Sequence, residues 1–265
     1  LYCFFINIIS SKYMLLTFAI MNLKRKKIVS YWLFIGLSLV ILMVIIGGIT
    51  RITDSGLSMV NWRFEGTLPP MDDIEWQEEF SQYKLSPEGE KVNSGMTVEE
   101  FKGIYFWEYL HRMTGRLLGI IFIIPFLFFL FKKWFTKTEL KKYYILLGLG
   151  ALQGFIGWFM VKSGLIDRPS VSHFRLSIHF IAALTLASYI FWMILDIWKT
   201  PEENTEINKY SRYFLVVLTL QLIYGAFTAG LNAGIHKANN FINSLFGYFN
   251  QNFIDFDILN NDLNI

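Results

Sequence analysis

The chain has 265 residues, of which 54% are hydrophobic, 18% aromatic and 17% charged, with a formal net charge of +3. Soluble domains carry about 25% charged residues; here the apolar residues fall in long runs, which points to a membrane protein and away from a disordered chain, a collagen-like chain or a two-domain soluble enzyme. A single cysteine, Cys3, excludes a disulfide scaffold, and so small a net charge gives no case for nucleic acid.

The first apolar patch, residues 1–20, is interrupted by Ser10, Ser11 and Lys12 and does not begin with Met. Met21 precedes Asn22-Leu-Lys-Arg-Lys-Lys27, a typical start for a first membrane helix. Residues 1–21 are therefore expected to be an upstream extension or a non-native start. A signal peptide would carry its positive flank on the other side.

Five later runs are long enough to cross a bilayer: Tyr31–Ile49, Ile104–Phe131, Tyr143–Val161, Phe174–Leu195 and Tyr213–Leu231. A span needs about 20 apolar residues, and in lipid every backbone group must be paired within the segment, so the runs are expected to be helices. Between the first two lies an outer segment, 50–103. In it Asp72–Phe80 and Thr97–Lys102 read as short amphipathic helices, the second opened by a capping box of Thr97 with Glu100. An ordered loop of this length is often functional.

Orientation follows from the lysines and arginines. Lys24, Arg25, Lys26 and Lys27 place the start of the first helix in the cytoplasm. The segment Thr50–Gly103 has 5 basic and 11 acidic residues and belongs outside. Lys132, Lys133, Lys137, Lys141 and Lys142 face only Glu139 and return the chain to the inside. The short loop Ser163–Ser172 is outside again.

The end of the first span and the end of the fifth repeat one another. Gly47, Thr50, Asp54 and Gly56 align with Gly225, Thr228, Asn232 and Gly234, every offset being 178. Chance recurrence of glycine is the bland reading; a duplicated four-helix unit is the sharper one. The expected fold is all-α: a polytopic membrane helical bundle with one complete four-helix unit plus the first helix of a second repeat. The division is 22–200 for the first unit, 201–234 for that extra helix and 235–265 for a polar tail. Residues 238–265 hold eight Asn and no spanning run, as a frameshift would produce. The chain is accordingly expected to be the first half of a longer protein; a genuine five-helix protein is the alternative.

Two of the four histidines lie within spans. His111 is seven residues beyond Ile104, and His179 seven beyond Ser172, an expected N-cap. Both helices enter from outside, so both rings lie about 10 Å deep in the outer leaflet. Matched depth on two helices suits a bis-histidine haem site, with His111 and His179 as axial ligands to the iron. Gly115 and Gly119 continue the face of His111, and Ala183 and Ala187 that of His179, at i+4 and i+8. Such faces leave room for a flat macrocycle, or simply allow close helix packing. Arg51, Arg112, Arg116 and Arg175 cluster at this depth and suit haem propionates. Glu108, three residues before His111, is either paired with an arginine or poised for proton transfer. His173 lies about 240° around its helix from His179 and is expected not to be a ligand; His236 falls in the polar tail.

At Gly47–Met59, Trp107–Arg116, Gln153–Leu165, Val171–His179 and Gly225–Gly234 the chain closely resembles heme A synthase, from Asn22 to about Gly234. The outer segment lacks the cysteine pair of one branch of that family. The resemblance implies an eight-helix protein of two similar halves in the bacterial inner membrane. The N-terminal half handles haem O as substrate, and the C-terminal half holds haem b. It implies oxidation of the C8 methyl of haem O to a formyl group, for cytochrome c oxidase. Glu108 matches the family's Glu-x-x-His motif and would be the catalytic residue. The second histidine pair is missing, so this chain by itself is expected to be inactive. Implied partners are the lipid bilayer, haem O synthase or cytochrome oxidase assembly factors, and a second copy of the chain. A b-type cytochrome, a transporter and a nonfunctional pseudogene product remain as competing readings of the same residues.

Overall fold

A computed structural model describes residues 2–61, 68–166, 169–198 and 207–231, with side chains from Met21 onward except at 166 and 207–209. Of the expected extension 1–21, residues 2–20 are described as backbone only, and the tail 235–265, with His236, lies outside the described residues. The described residues are helical, with no strand among them. The helices are α1 (Tyr2–Ile52), α2 (Asp73–Lys84), α3 (Pro87–Lys91), α4 (Val98–Phe131), α5 (Lys137–Ile166), α6 (His173–Ile197) and α7 (Ile207–Gly230). Five of them, α1 from Met21 and then α4, α5, α6 and α7, are long and apolar enough to cross a membrane. This is a multi-pass membrane protein built as a helical bundle.

The capping box forms as expected: Thr97 accepts from the Glu100 backbone and Glu100 reaches back to Thr97. The short helix expected after it is a difference from the sequence reading. Thr97 opens a single helix of 34 residues that runs through Gly103 to Phe131. One interior glycine costs only about 1 kcal/mol of helix propensity, and Phe101 and Tyr105 on either side of it are buried at 0% and 2% exposure. The other outer helix is capped by Asp72, and α3, with Pro87 in its first turn and Ser86 as cap, was not anticipated.

The bundle closes at the end remote from the 50–103 segment, its inner end in the expected orientation, the opposite end being the outer one. Val29, Trp32, Leu33 and Val40 of α1 pack with Phe126 and Phe129 of α4, Tyr143 and Leu146 of α5, and Leu186, Ile190 and Met193 of α6. Pro125 has no N–H to give the carbonyl of Ile121, four residues earlier. The indole of Trp32 supplies the missing donor, Nε1–H to Ile121 O at 2.9 Å, across the α1–α4 contact. In lipid, where water cannot satisfy a freed carbonyl, such a side-chain donor is what makes an interior proline tolerable.

The outer half is different. α1 packs on both α4 and α6, while α4 and α6 do not pack closely on each other. Toward the inner face large aromatics fill the space beside α4. Toward the outer face the lining residues include Gly115, Gly119 and Ala183. A Cβ on Gly119 would meet nothing within 4 Å, and one on Gly115 only Met43 Cε at 3.4 Å. A second small core, Met59, Phe80, Tyr83, Phe101 and Tyr105, joins α2 to the outer end of α4.

Candidate functional site

Each span histidine sits against a glycine of a neighbouring helix. A Cβ on Gly47 of α1 would lie 3.2 Å from His111 Nε2, and a Cβ on Gly157 of α5 would lie 2.9 Å from His179 Cε1. Only glycine leaves the ring its place without displacement. The two imidazoles are near enough to interact electrostatically, and both are half-buried. Gln153, one turn before Gly157 on α5, approaches the His179 ring: its Nε2 is 3.3 Å from Nδ1 and 3.5 Å from Nε2, and donates to His179 O at 3.2 Å. Its Oε1 is buried without a partner. His111 makes no comparable side-chain bond among the described residues.

The loop after α1 roofs the outer end. The chain leaves the helix through Asp54, which takes a left-handed φ of 46°, and then buries Ser55, Leu57, Ser58 and Met59. Asp is among the few non-glycine residues that tolerate this conformation, because its short side chain bonds locally; here it accepts from Arg51 at 2.7 Å. Leu57 presses on Gly164 of α5, where a Cβ would come within 2.7 Å of its methyls. Ser58 and Met59 reach α4: Ser58 Oγ donates to Glu108 Oε2 at 2.7 Å and the Met59 N–H to the same oxygen at 2.9 Å. The other oxygen of Glu108 is paired with Arg112, which also donates to Met59 O at 3.2 Å. Of the two readings left open for Glu108, the structure shows the arginine pairing, and adds two donors from the roof. The carboxylate is 3% exposed. Burial of a charge at that depth requires such saturation.

The remaining arginines are placed as follows. Arg51 donates Nε–H and an Nη2–H to Ala229 O, at 3.0 and 2.7 Å, tying the end of α1 to the end of α7. Arg175 donates to Phe159 O at 2.8 Å and lies over the Phe159 ring. Arg116 reaches Met113 Sδ at 3.4 Å. His173 packs on α7 instead of facing His179, with its Cβ 2.6 Å from where a Cβ on Gly230 would stand, and its ring edge-on to Phe227. Ser172 is the N-cap of α6, without a side-chain capping bond.

What can this donor set hold? Among the described residues no group of three or more His, Cys, Asp or Glu could hold a metal ion. Two imidazoles alone are too few for a bare cation in a tetrahedral or octahedral site. They are the right number for an iron whose four equatorial ligands come from a macrocycle. Small lining residues, glycine seats for both rings and an orphaned amide oxygen beside one of them fit that group. The glycine seats and Gln153 went unassigned in the sequence. A polar residue within a span was the available signal, and Gln153 stands four residues before Gly157, on one face of α5.

Comparison with known proteins agrees. A family model described as "Cytochrome oxidase assembly protein" matches residues 30–260. A protein of Flavobacterium psychrophilum named "Heme A synthase" is 50% identical over 219 residues, 80% of this chain and 64% of its own length. One of Pelagibacter ubique with the same name is 48% identical over 213 residues, 79% of this chain and 63% of its own. One of Rickettsia felis, again so named, is 41% identical over 249 residues, 91% of this chain and 72% of its own. The chain thus spans less than two thirds of the first two relatives. No solved structure matches it significantly. By the extent of the family match and the identity to these relatives, the chain belongs to the cytochrome oxidase assembly protein family.

Proposed function

We propose that this chain is the haem-substrate half of a heme A synthase, an oxidoreductase that converts the C8 methyl of haem O to a formyl group for cytochrome c oxidase. The observation that carries the reading is the pair of imidazoles, His111 on α4 and His179 on α6, each seated on a glycine of an adjacent helix. They would bind the iron axially and hold the macrocycle between helices that do not pack on each other. Haem O would supply the iron and the methyl to be oxidised. The family's haem b would belong to the other half.

Glu108 is the proposed catalytic residue. Oxidation of a methyl to a formyl group with oxygen from water removes four electrons and four protons; an external electron acceptor would take the electrons, and a carboxylate one turn outward from His111 is placed to receive protons. Its bonds to Ser58, Met59 and Arg112 fix the direction of its oxygens, and the Ser58 hydroxyl offers a neighbouring group for onward transfer. Arg51, Arg112, Arg116 and Arg175 ring the outer end and are proposed to meet the propionates. The proposed setting is the bacterial inner membrane with the N-terminus cytoplasmic, which puts this mouth on the outer face.

The test is optical. Haem added to the purified chain should give a low-spin bis-histidine spectrum. His111→Ala and His179→Ala should abolish it, and His173→Ala should leave it intact. Equal loss from His173→Ala would overturn the ligand assignment.

A further inference from the structure

We propose that Gln153 is the positioning residue of His179: its side-chain oxygen accepts the Nδ1 proton when Nε2 is turned to iron. The inference rests on the haem reading above and adds an asymmetry that the reading does not contain.

A neutral imidazole carries one N–H. Ligation of iron through Nε2 moves that proton to Nδ1, where it needs an acceptor. In the structure Gln153 Nε2, a donor, lies 3.3 Å from Nδ1, the nearer of the two ring nitrogens, and 3.5 Å from Nε2. That arrangement suits a ring whose proton sits on Nε2, the tautomer that cannot bind iron there. The acceptor of the same amide, Oε1, is buried and has no partner. A buried oxygen left unpaired costs about 1–3 kcal/mol. A half-turn of the amide exchanges the two atoms and presents Oε1 to Nδ1. The turn loses the bond to His179 O, which keeps its helical donor four residues on, and the amide must also swing toward Nδ1, since Oε1 in the present Nε2 position would stand 3.2 Å from that carbonyl oxygen. Gly157 fixes the ring on the same side of α5, so the amide and the seat act on one imidazole together. His111 has the glycine seat alone. The two axial ligands should therefore differ in basicity, with His179 the stronger donor to iron.

A stronger acceptor on Nδ1–H gives the imidazole more anionic character, which favours ferric iron and lowers the midpoint potential. The experiment is a redox titration of the purified 265-residue chain loaded with haem b, with low-spin electron paramagnetic resonance on the same samples. Gln153→Leu removes the acceptor and should shift the midpoint positive of wild type. Gln153→Glu strengthens it and should shift it negative. Equal midpoints in all three proteins would overturn the assignment, as would shifts of both variants in one direction, which mark a packing effect. Should Gln153→Leu fail to hold haem, wild type against Gln153→Glu decides: a negative shift supports the proposal, and no shift or a positive one overturns it. Absence of any haem spectrum in wild type would overturn the haem reading itself, and this inference with it.

Discussion

Replacing Gly157 by alanine isolates the seat of His179 from every other property of α5. The added Cβ would stand 2.9 Å from His179 Cε1 and 3.5 Å from Nδ1. Ordinary carbon contacts lie at about 3.5–4.0 Å, so the ring must retreat by roughly 0.6 Å or more, or α5 and α6 must part. Overpacking of this kind costs about 1–3 kcal/mol. Since each 1.4 kcal/mol is about tenfold in affinity, Gly157→Ala should weaken haem binding by roughly one to two orders of magnitude. The same substitution raises helix propensity by about 1 kcal/mol, which offsets only part of the overpacking, so the haem-free protein should melt at or below the wild-type temperature. Gly154, three residues earlier on the same helix, would meet nothing within 4 Å; Gly154→Ala should share the gain in helix stability and keep full haem affinity. The assay is a haem titration followed at the Soret band, beside thermal unfolding of the haem-free proteins in detergent. Wild-type affinity in Gly157→Ala, or equal weakening in Gly154→Ala, would refute the seat.

The other predictions concern the two buried carboxyl groups of the outer end. Removing Glu108 alone leaves Arg112, whose side chain is 12% exposed, buried and unpaired, which should cost about 3–5 kcal/mol. Removing both should cost less than the sum of the single changes, and strictly additive losses in a double-mutant cycle would sink the pairing argument. Glu88 is pushed up to about 7, chiefly by burial, with Glu108 and Asp54 adding to the rise while Tyr83 and Arg51 oppose it. Its carboxyl accepts from Tyr83 Oη at 3.1 Å, itself bonded by Asn93, and burial holds the Tyr83 phenol above its usual range. The ionised form is thus disfavoured in the folded state, so stability contributed by neutral Glu88 is present below about pH 4.5 and lost as pH rises through about 7. The outer helices should exchange amide hydrogens faster at pH 8 than at pH 5 after correction for intrinsic rates. Glu88→Gln should flatten that difference, and parallel profiles in the two proteins would contradict it.

Hydropathy made the spans legible because bilayer thickness fixes their length, and α4, α5, α6 and α7 lie where the apolar runs placed them. Their ends were less legible. The run of Val98-Glu-Glu-Phe101 is polar enough to read as a separate helix, yet Phe101 and Tyr105 bury against α2 and carry the helix through Gly103. Histidine depth followed from counting residues. What each ring touches did not, because it depends on which face α1 and α5 turn inward. Gly48, beside Gly47, would meet nothing if it carried a Cβ, and no local pattern separates the two. Glu108 had two readings for the same reason: its partners Ser58 and Met59 are 50 and 49 residues away.

Arg51 shows how a sequence repeat and a single contact bear on one another. Its guanidinium binds the carbonyl of Ala229, and the interval between them is 178 residues. That is also the interval relating Gly47 to Gly225 and Thr50 to Thr228. In the expected repeat Arg51 is therefore bonded to the residue at its own equivalent position. A two-fold rotation brings a residue next to its mate only near the axis. Both helices run outward at this point, which a two-fold axis along the membrane normal preserves and an axis in the membrane plane would reverse. The inner half of α7 meets little of the first unit, since Tyr210–Leu220 are exposed throughout, whereas Ala226 near the outer end is buried. The contact of α7 is thus concentrated at its outer end, at the depth of the histidines. On this geometry Arg51 ties the end of α1 to the end of α7.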